Sequence, residues 1–251
     1  MAKLRTNADV SDAFDAHLRS IDLAEVNDRQ PCAWLPERWR ETWKTYELPH
    51  PEVIEEICSH YQSFPSDPRI TRRFVLGFAS RDPIALLIVS MAWGYGNTGF
   101  GAKHVKEMLA NPAEVRGVLA EVLSALDDGD LSAGYCLLFD KGRARIPHLG
   151  VAFGTKFLYF ARYESILRPR PLIYDARVAH AVTHLPTAPI LPCNCDGVTG
   201  ERYVAFCDWA EDLSASYGTE PAAVEFVAFQ LGQIITDSVR YRKGAPREES
   251  T

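Results

Sequence analysis

Apolar residues recur along most of the chain at intervals of three and four, and stretches that alternate strictly between apolar and polar are scarce. That periodicity predicts helices rather than strands. The run DPIALLIVSMAW, beginning at Asp82, is apolar on every side. With Asp82 placed to cap and Pro83 in the first helical position, it predicts a central buried helix that stops at the Gly-rich GYGNTGFG. AEVRGVLAEVLSALDDG carries one apolar stripe and a glycine stop, DLSAGYCLLFDKG is a shorter helix, and VAFGTKFLYFARYE predicts another from about Val151. In LIYDARVAHAV, Asp175 stands as the cap of a helix starting at Ala176. GERYVAFCDWAEDLSASYG and EPAAVEFVAFQLGQII read as two more amphipathic helices. Trp34, Trp39 and Trp43 lie at helical spacing and predict core packing, in a first fifty residues that read as helix or irregular cover. LPTAPILPCNCDGVTG reads as a loop and RYRKGAPREEST as a frayed end. The fold class expected is all-α, in a single domain spanning 1–251.

One residue interrupts this pattern. Lys156 sits in an apolar run with Phe153, Phe157, Leu158 and Phe160. A lysine there either snorkels toward water or serves chemistry that needs a desolvated amine.

Composition narrows the setting. The longest apolar run, IALLIVSMAW at 84–93, is too short to span a bilayer, and MAKLRTNADVSDAFDAHLRS lacks the apolar core of a secretion signal. A cytoplasmic protein without membrane partner is expected. Six cysteines without paired spacing suit reduced thiols. The net charge of −6 argues against a nucleic-acid partner, but the average conceals a segment of opposite sign. Between Lys141 and Arg177, eight basic residues face two acids, a net of +6, which leaves −12 for the remainder. Such a stripe suits an anionic ligand, or it is an ordinary solvated face.

The stripe contains a hairpin. DKGRARIPHLG joins the helix that ends near Phe139 to the one that starts near Val151, with Gly150 allowing close backbone approach. A helix N-terminus presented by such a turn offers unsatisfied N–H donors to phosphate, with Lys141, Arg143 and Arg145 around it.

The hairpin IPHLGVAFGTK, with Lys156 beyond it and Asp175 nineteen residues further in LIYDARVAHAV, resembles the helix-hairpin-helix DNA glycosylase superfamily. FGTKFLYFA most resembles bacterial members with the 8-oxoguanine glycosylase fold. Ile146, Pro147, Leu149 and Gly150 match the family's hairpin, while His148 replaces its first glycine. Matching Gly150 to the second hairpin glycine puts the usual lysine position at Ala152, so Lys156 lies one turn deeper on the same face. The resemblance covers about residues 82–240, is most specific over 140–180, and places the hairpin core at about 135–185.

The resemblance implies a two-lobed fold with the active-site cleft between lobes, and an enzyme that flips a modified base out of duplex DNA and cleaves its N-glycosidic bond. Lys156 would attack C1′ and form a Schiff base, with AP-lyase activity as a consequence. Asp175 would stabilise the oxocarbenium-like transition state. Arg143, Arg145, His148, Gly150 and Arg177 would contact DNA. Asn97 and Tyr95, in the loop after the buried helix, would fill or line the gap left by the flipped base. Trp93, Phe100 and Phe153 would form the base pocket. The substrate implied is an oxidised purine or, as in some bacterial relatives active in phage defence, a glucosylated hydroxymethylcytosine.

No cofactor is expected, and the partner is double-stranded DNA bound by a nucleoid-associated monomer. His180, His184, Cys193 and Cys195 lie within sixteen positions, but neither zinc nor an iron–sulfur cluster is the favoured reading. The competing function is a hairpin protein that grips DNA without catalysis, against which the retention of both Lys156 and Asp175 counts. A third class, a helical interaction protein, predicts no DNA affinity at all.

Overall fold

The computed structural model describes residues 6–22, 26, 32–64, 69–140, 143–164, 167–193, 195 and 197–244. The fold is all-α. In chain order the helices are α1 (Asn7–Ser20), α2 (Pro36–Tyr46), α3 (Pro51–Gln62), α4 (Arg72–Leu76), α5 (Pro83–Tyr95), α6 (Gly101–Met108), α7 (Pro112–Asp127), α8 (Leu131–Leu138), α9 (Val151–Arg162), α10 (Ala176–Val182), α11 (Gly200–Tyr217) and α12 (Pro221–Gly244). Two short strands, β1 (Phe139–Asp140) and β2 (Arg143–Ala144), pair antiparallel between α8 and α9.

α5 forms the centre. Asp82 caps it by accepting from the Ile84 N–H at 2.9 Å, and every side chain from Ile84 to Trp93 is buried. α3, α4, α6, α7 and α9 all pack on it. A second layer gathers on α12, which contacts α1, α10 and α11. α12 approaches α10 so closely that a Cβ at Gly232 would meet the Arg177 carbonyl oxygen at 1.9 Å, so only glycine fits there. The tryptophans of α2 are core residues as their spacing predicts, with Trp39 and Trp43 stacked at 5.5 Å.

The segment read as a frayed end is helical through Gly244, and 245–251 lie outside the described residues. The connection between α8 and α9 also differs from the tight hairpin expected. Its chain first pairs in the β1–β2 ribbon, then turns inward to bury Ile146 and Leu149. The left-handed backbone falls on His148, with φ 61°, while Gly150 adopts φ −65° with open space where a Cβ would stand. The turn therefore makes its demand on His148, and Gly150 serves only as the residue before α9.

Candidate active site

Asp175 ends an extended, buried segment, Leu172–Tyr174, whose backbone must find partners outside regular structure. Two hydroxyl side chains supply them. Thr155 Oγ1 accepts from the Tyr174 N–H at 3.0 Å, and Tyr203 Oη accepts from the Leu172 N–H at 3.1 Å while donating to its carbonyl at 2.7 Å. The segment is thereby tied to α9 on one side and α11 on the other. Asp175 Oδ1 then accepts from the N–H groups of Arg177 and Val178 at 3.0 and 3.1 Å, capping α10. This fixes the carboxylate and leaves Oδ2 for other work.

What Oδ2 meets is Lys156. The ammonium nitrogen lies 3.5 Å from Asp175 Oδ2, donates to the Ala152 carbonyl at 2.9 Å, and stands 5.4 Å from the centre of the Phe153 ring. Its side chain is 8% exposed and that of Asp175 16%. Lys156 does not snorkel, because its stem is held between α5 and α9. A Cβ at Gly94 would stand 3.1 Å from Lys156 Cδ and 2.9 Å from Phe153 Cε1, so glycine on α5 makes the room. The lysine one turn deeper than the family position thus reaches the aspartate.

Both side chains line a cavity of about 660 Å³. α5 contributes Trp93 and Gly94, α9 contributes Ala152 and Phe153, and α12 contributes Phe226, Phe229, Gln230 and Gln233. Cys32, Ile173, Ala176 and Arg177 complete the lining, Arg177 being exposed, with its guanidinium 5.0 Å from the Phe229 ring centre. Burial pushes the Cys32 thiol up, against the pull of Lys156, so it is a protonated wall residue. Flat rings, two amides and one ion pair give the cavity the means to hold a planar, polar-edged group.

Of the remaining expected residues, Trp93 and Phe153 line the cavity; Phe100 does not, being 62% exposed at the start of α6. Tyr95 is turned inward, stacked on Phe153 at 4.1 Å with its hydroxyl 3.1 Å from His104 Nδ1. Burial pushes its phenol up to about 12. Asn97 is exposed in the loop between α5 and α6. His148 is half exposed, stacked on His104 at 4.2 Å and paired with Glu107. Arg145 is exposed but reaches Glu121 and the Leu137 carbonyl, at 3.2 and 3.1 Å. Lys141 and the side chain of Arg143 lie outside the described residues.

Most of the basic stripe answers acids on other helices. Arg162 pairs with Asp127, Arg168 with Glu211, and Arg170 with Glu211 and Glu220. Sequence proximity gathered these cations, and tertiary structure gives each of the three an acid from another part of the chain. His180 and His184 bond Thr236 and Asn7 respectively, and among the described residues no cluster of three or more His, Cys, Asp or Glu is arranged to hold a metal ion.

Periodicity could not pick out Phe226, Phe229, Gln230 and Gln233, because α12 is apolar enough to face the core on more than one side. Its only local signal was a pair of glutamines in the run from Ala222 to Ile235, whose one charged residue is Glu225. No helix among the described residues is long and apolar enough to cross a membrane. No curated protein and no solved structure matches the chain. Residues 26–229 match the model of the family described as "Putative 8-oxoguanine DNA glycosylase OGG-like protein", and with four-fifths of its length so matched the chain belongs to that family.

Proposed function

We propose that the protein is a DNA glycosylase that draws a modified base into the Lys156–Asp175 cavity and releases it by attack on C1′ of its deoxyribose. The observation that carries this reading is the 3.5 Å approach of Lys156 Nζ to a carboxylate already fixed by two backbone N–H groups. In that setting the amine is aimed and the carboxylate does not have to reorganise as positive charge grows on the sugar.

Once the ammonium has given a proton to solvent, the lone pair of Lys156 forms the C–N bond to C1′ as the glycosidic bond breaks. The bonding electrons leave with the base, which gains a proton, and the amine loses one. Opening of the sugar ring then gives a Schiff base, which water hydrolyses or which eliminates the 3′ phosphate as AP lyase. Asp175 stabilises the cationic sugar. Phe153 and Phe229 supply faces for stacking, and Gln230 and Gln233 supply donors and acceptors for the edge of the base. A cavity of about 660 Å³ falls in the range that encloses a nucleoside-sized ligand.

On the DNA side, Asn97 and Phe100 project from the loop after α5, one as filler of the vacated position and one as a wedge. His148, Arg145 and Arg177 contact the backbone, with the N-terminus of α9 beside them. The substrate class we assign is an oxidised purine, on the family's description and the planar walls of the cavity.

A panel of duplexes tests this, each carrying one modified base, with 8-oxoguanine and glucosylated 5-hydroxymethylcytosine among them. Release of 8-oxoguanine as free base is the expected result. Release of the glucosylated pyrimidine alone would reassign the substrate and favour a defence role against phage. Tight, salt-dependent duplex binding without any base release or covalent adduct would make the protein a non-catalytic hairpin binder.

A further inference from the structure

Behind the cavity the structure buries one ion pair completely. Arg72 opens α4 and Glu225 stands on α12, 153 positions apart, and both side chains have no accessible surface. The two bonds are parallel: Nη1 donates to Oε2 at 2.7 Å and Nη2 to Oε1 at 3.2 Å. Three rings surround the guanidinium, with centres 5.1 Å away for Tyr159, 5.4 Å for Trp93 and 5.7 Å for Phe226.

Stability alone explains such a pair poorly. Each buried ion costs several kcal/mol of desolvation, and well-packed apolar residues of similar volume commonly do as well or better. Geometry offers a better reason. Tyr159 lies on α9 one turn beyond Lys156 (i+3), Trp93 lies on α5, and Glu225 and Phe226 lie on α12. Arg72 therefore touches three of the four helices that line the cavity. The segment that leads into it holds a further part of the lining, since Ile70 exchanges both backbone hydrogen bonds with Cys32 at 3.1 Å. Burial raises the Glu225 carboxyl and Arg72 draws it down, while Asp175 and Lys156 are close enough to act on it as well. A planar fork fixes angle as well as distance, which a lysine contact would not.

We propose that Arg72 and Glu225 are positioning residues for the excision chemistry: their fork sets the rotation of α12 against α5 and α9, and with it the alignment of the cavity's far wall with Lys156. This rests on the glycosylase reading, so its test must separate the two. The double variant Arg72→Met/Glu225→Leu removes both charges at similar volume and leaves no orphaned ion, while Arg72→Lys keeps the charges and removes only the fork.

A duplex carrying an abasic site serves as probe, since borohydride trapping on it requires no knowledge of the base. Both variants should melt near the wild-type temperature and bind this duplex within about threefold of wild type. Trapping at saturating DNA should slow about tenfold to a hundredfold in the double variant, the size of effect expected from a misplacement near 1 Å, and less in Arg72→Lys. Alkylation of Cys32 by iodoacetamide in the DNA-free protein, followed by peptide mass mapping, reports the same wall independently and should accelerate about tenfold. If wild-type protein forms no adduct, Lys156 is not the nucleophile, and Cys32 alkylation alone decides the clamp. Wild-type trapping and wild-type Cys32 alkylation in either folded variant would overturn the proposal. Should the double variant fail to fold, the same two measurements on Arg72→Lys decide it.

Discussion

The two walls of the cavity are built in opposite ways. On one, Lys156 and Asp175 come from neighbouring stretches of chain and are anchored by backbone, through the Ala152 carbonyl and the N–H groups of Arg177 and Val178. On the other, Phe226, Phe229, Gln230 and Gln233 reach the same space from the last helix. Helix packing places them, notably the close approach at Gly232 and the Arg72–Glu225 fork. The first wall is locally determined, so the Lys156–Asp175 pair is held by its own neighbourhood. The second depends on tertiary packing, and its side chains can be altered to suit a different ligand without touching that pair.

The sharpest way to break that comparison is at the fixed wall. Asp175→Asn keeps the size of the side chain and an N-cap of equal quality, so α10 and the melting temperature should be preserved. Base release should nonetheless fall about a hundredfold to a thousandfold, with duplex affinity unchanged, because the carboxylate acts on the transition state. Excision at the wild-type rate would remove Asp175 from the chemistry.

Gly94 is where α5 closes on the fixed wall. Gly94→Val would press a branched side chain against Phe153 and Lys156 Cδ. Overpacking of this kind costs about 1–3 kcal/mol of stability. Adduct trapping on abasic DNA should slow about tenfold at a temperature where the variant remains folded, and an undiminished rate would show that Lys156 is not held as described.

At the adaptable wall the effect should be smaller and of another kind. Gln230→Leu and Gln233→Leu should leave trapping on an abasic duplex within about twofold while lowering release of the preferred base about tenfold, the discrimination expected when one polar contact to a substrate is lost. Equal losses in both assays would place the glutamines in the chemistry and dissolve the distinction between the walls. Least of all should come from Arg145→Ala. It already spends hydrogen bonds on Glu121 and Leu137, so loss of one phosphate contact should weaken binding evenly across sequences and flatten the salt slope by about one unit.

The same contrast sorts what could be read from the chain. Asp175 was legible because an N-cap is a local event, read from the residues directly beside it. Lys156 was legible because an ammonium in a run of phenylalanines conflicts with its surroundings. The hairpin was read as a tight turn with close backbone approach at Gly150, yet Gly150 has open space around it and the left-handed conformation falls on His148, whose ring stacks on His104. The basic stripe left two readings open, an anionic site or a solvated face. Counting along the chain cannot register acids such as Glu211 and Asp127 that arrive from other helices. The far wall left only its pair of glutamines as a trace, and the pairing of the buried fork left none, since partners 153 positions apart impose no pattern on either neighbourhood.

The account stands most directly on the identity of the attacking atom. Wild-type protein should be trapped by borohydride on an abasic-site duplex, peptide mapping should find the deoxyribose remnant on Lys156, and Lys156→Gln should form no adduct while losing base release. An adduct on another lysine such as Lys103, or base release by Lys156→Gln at the wild-type rate, would contradict it: in the first case the nucleophile lies outside this cavity, and in the second water attacks and Asp175 carries the step alone.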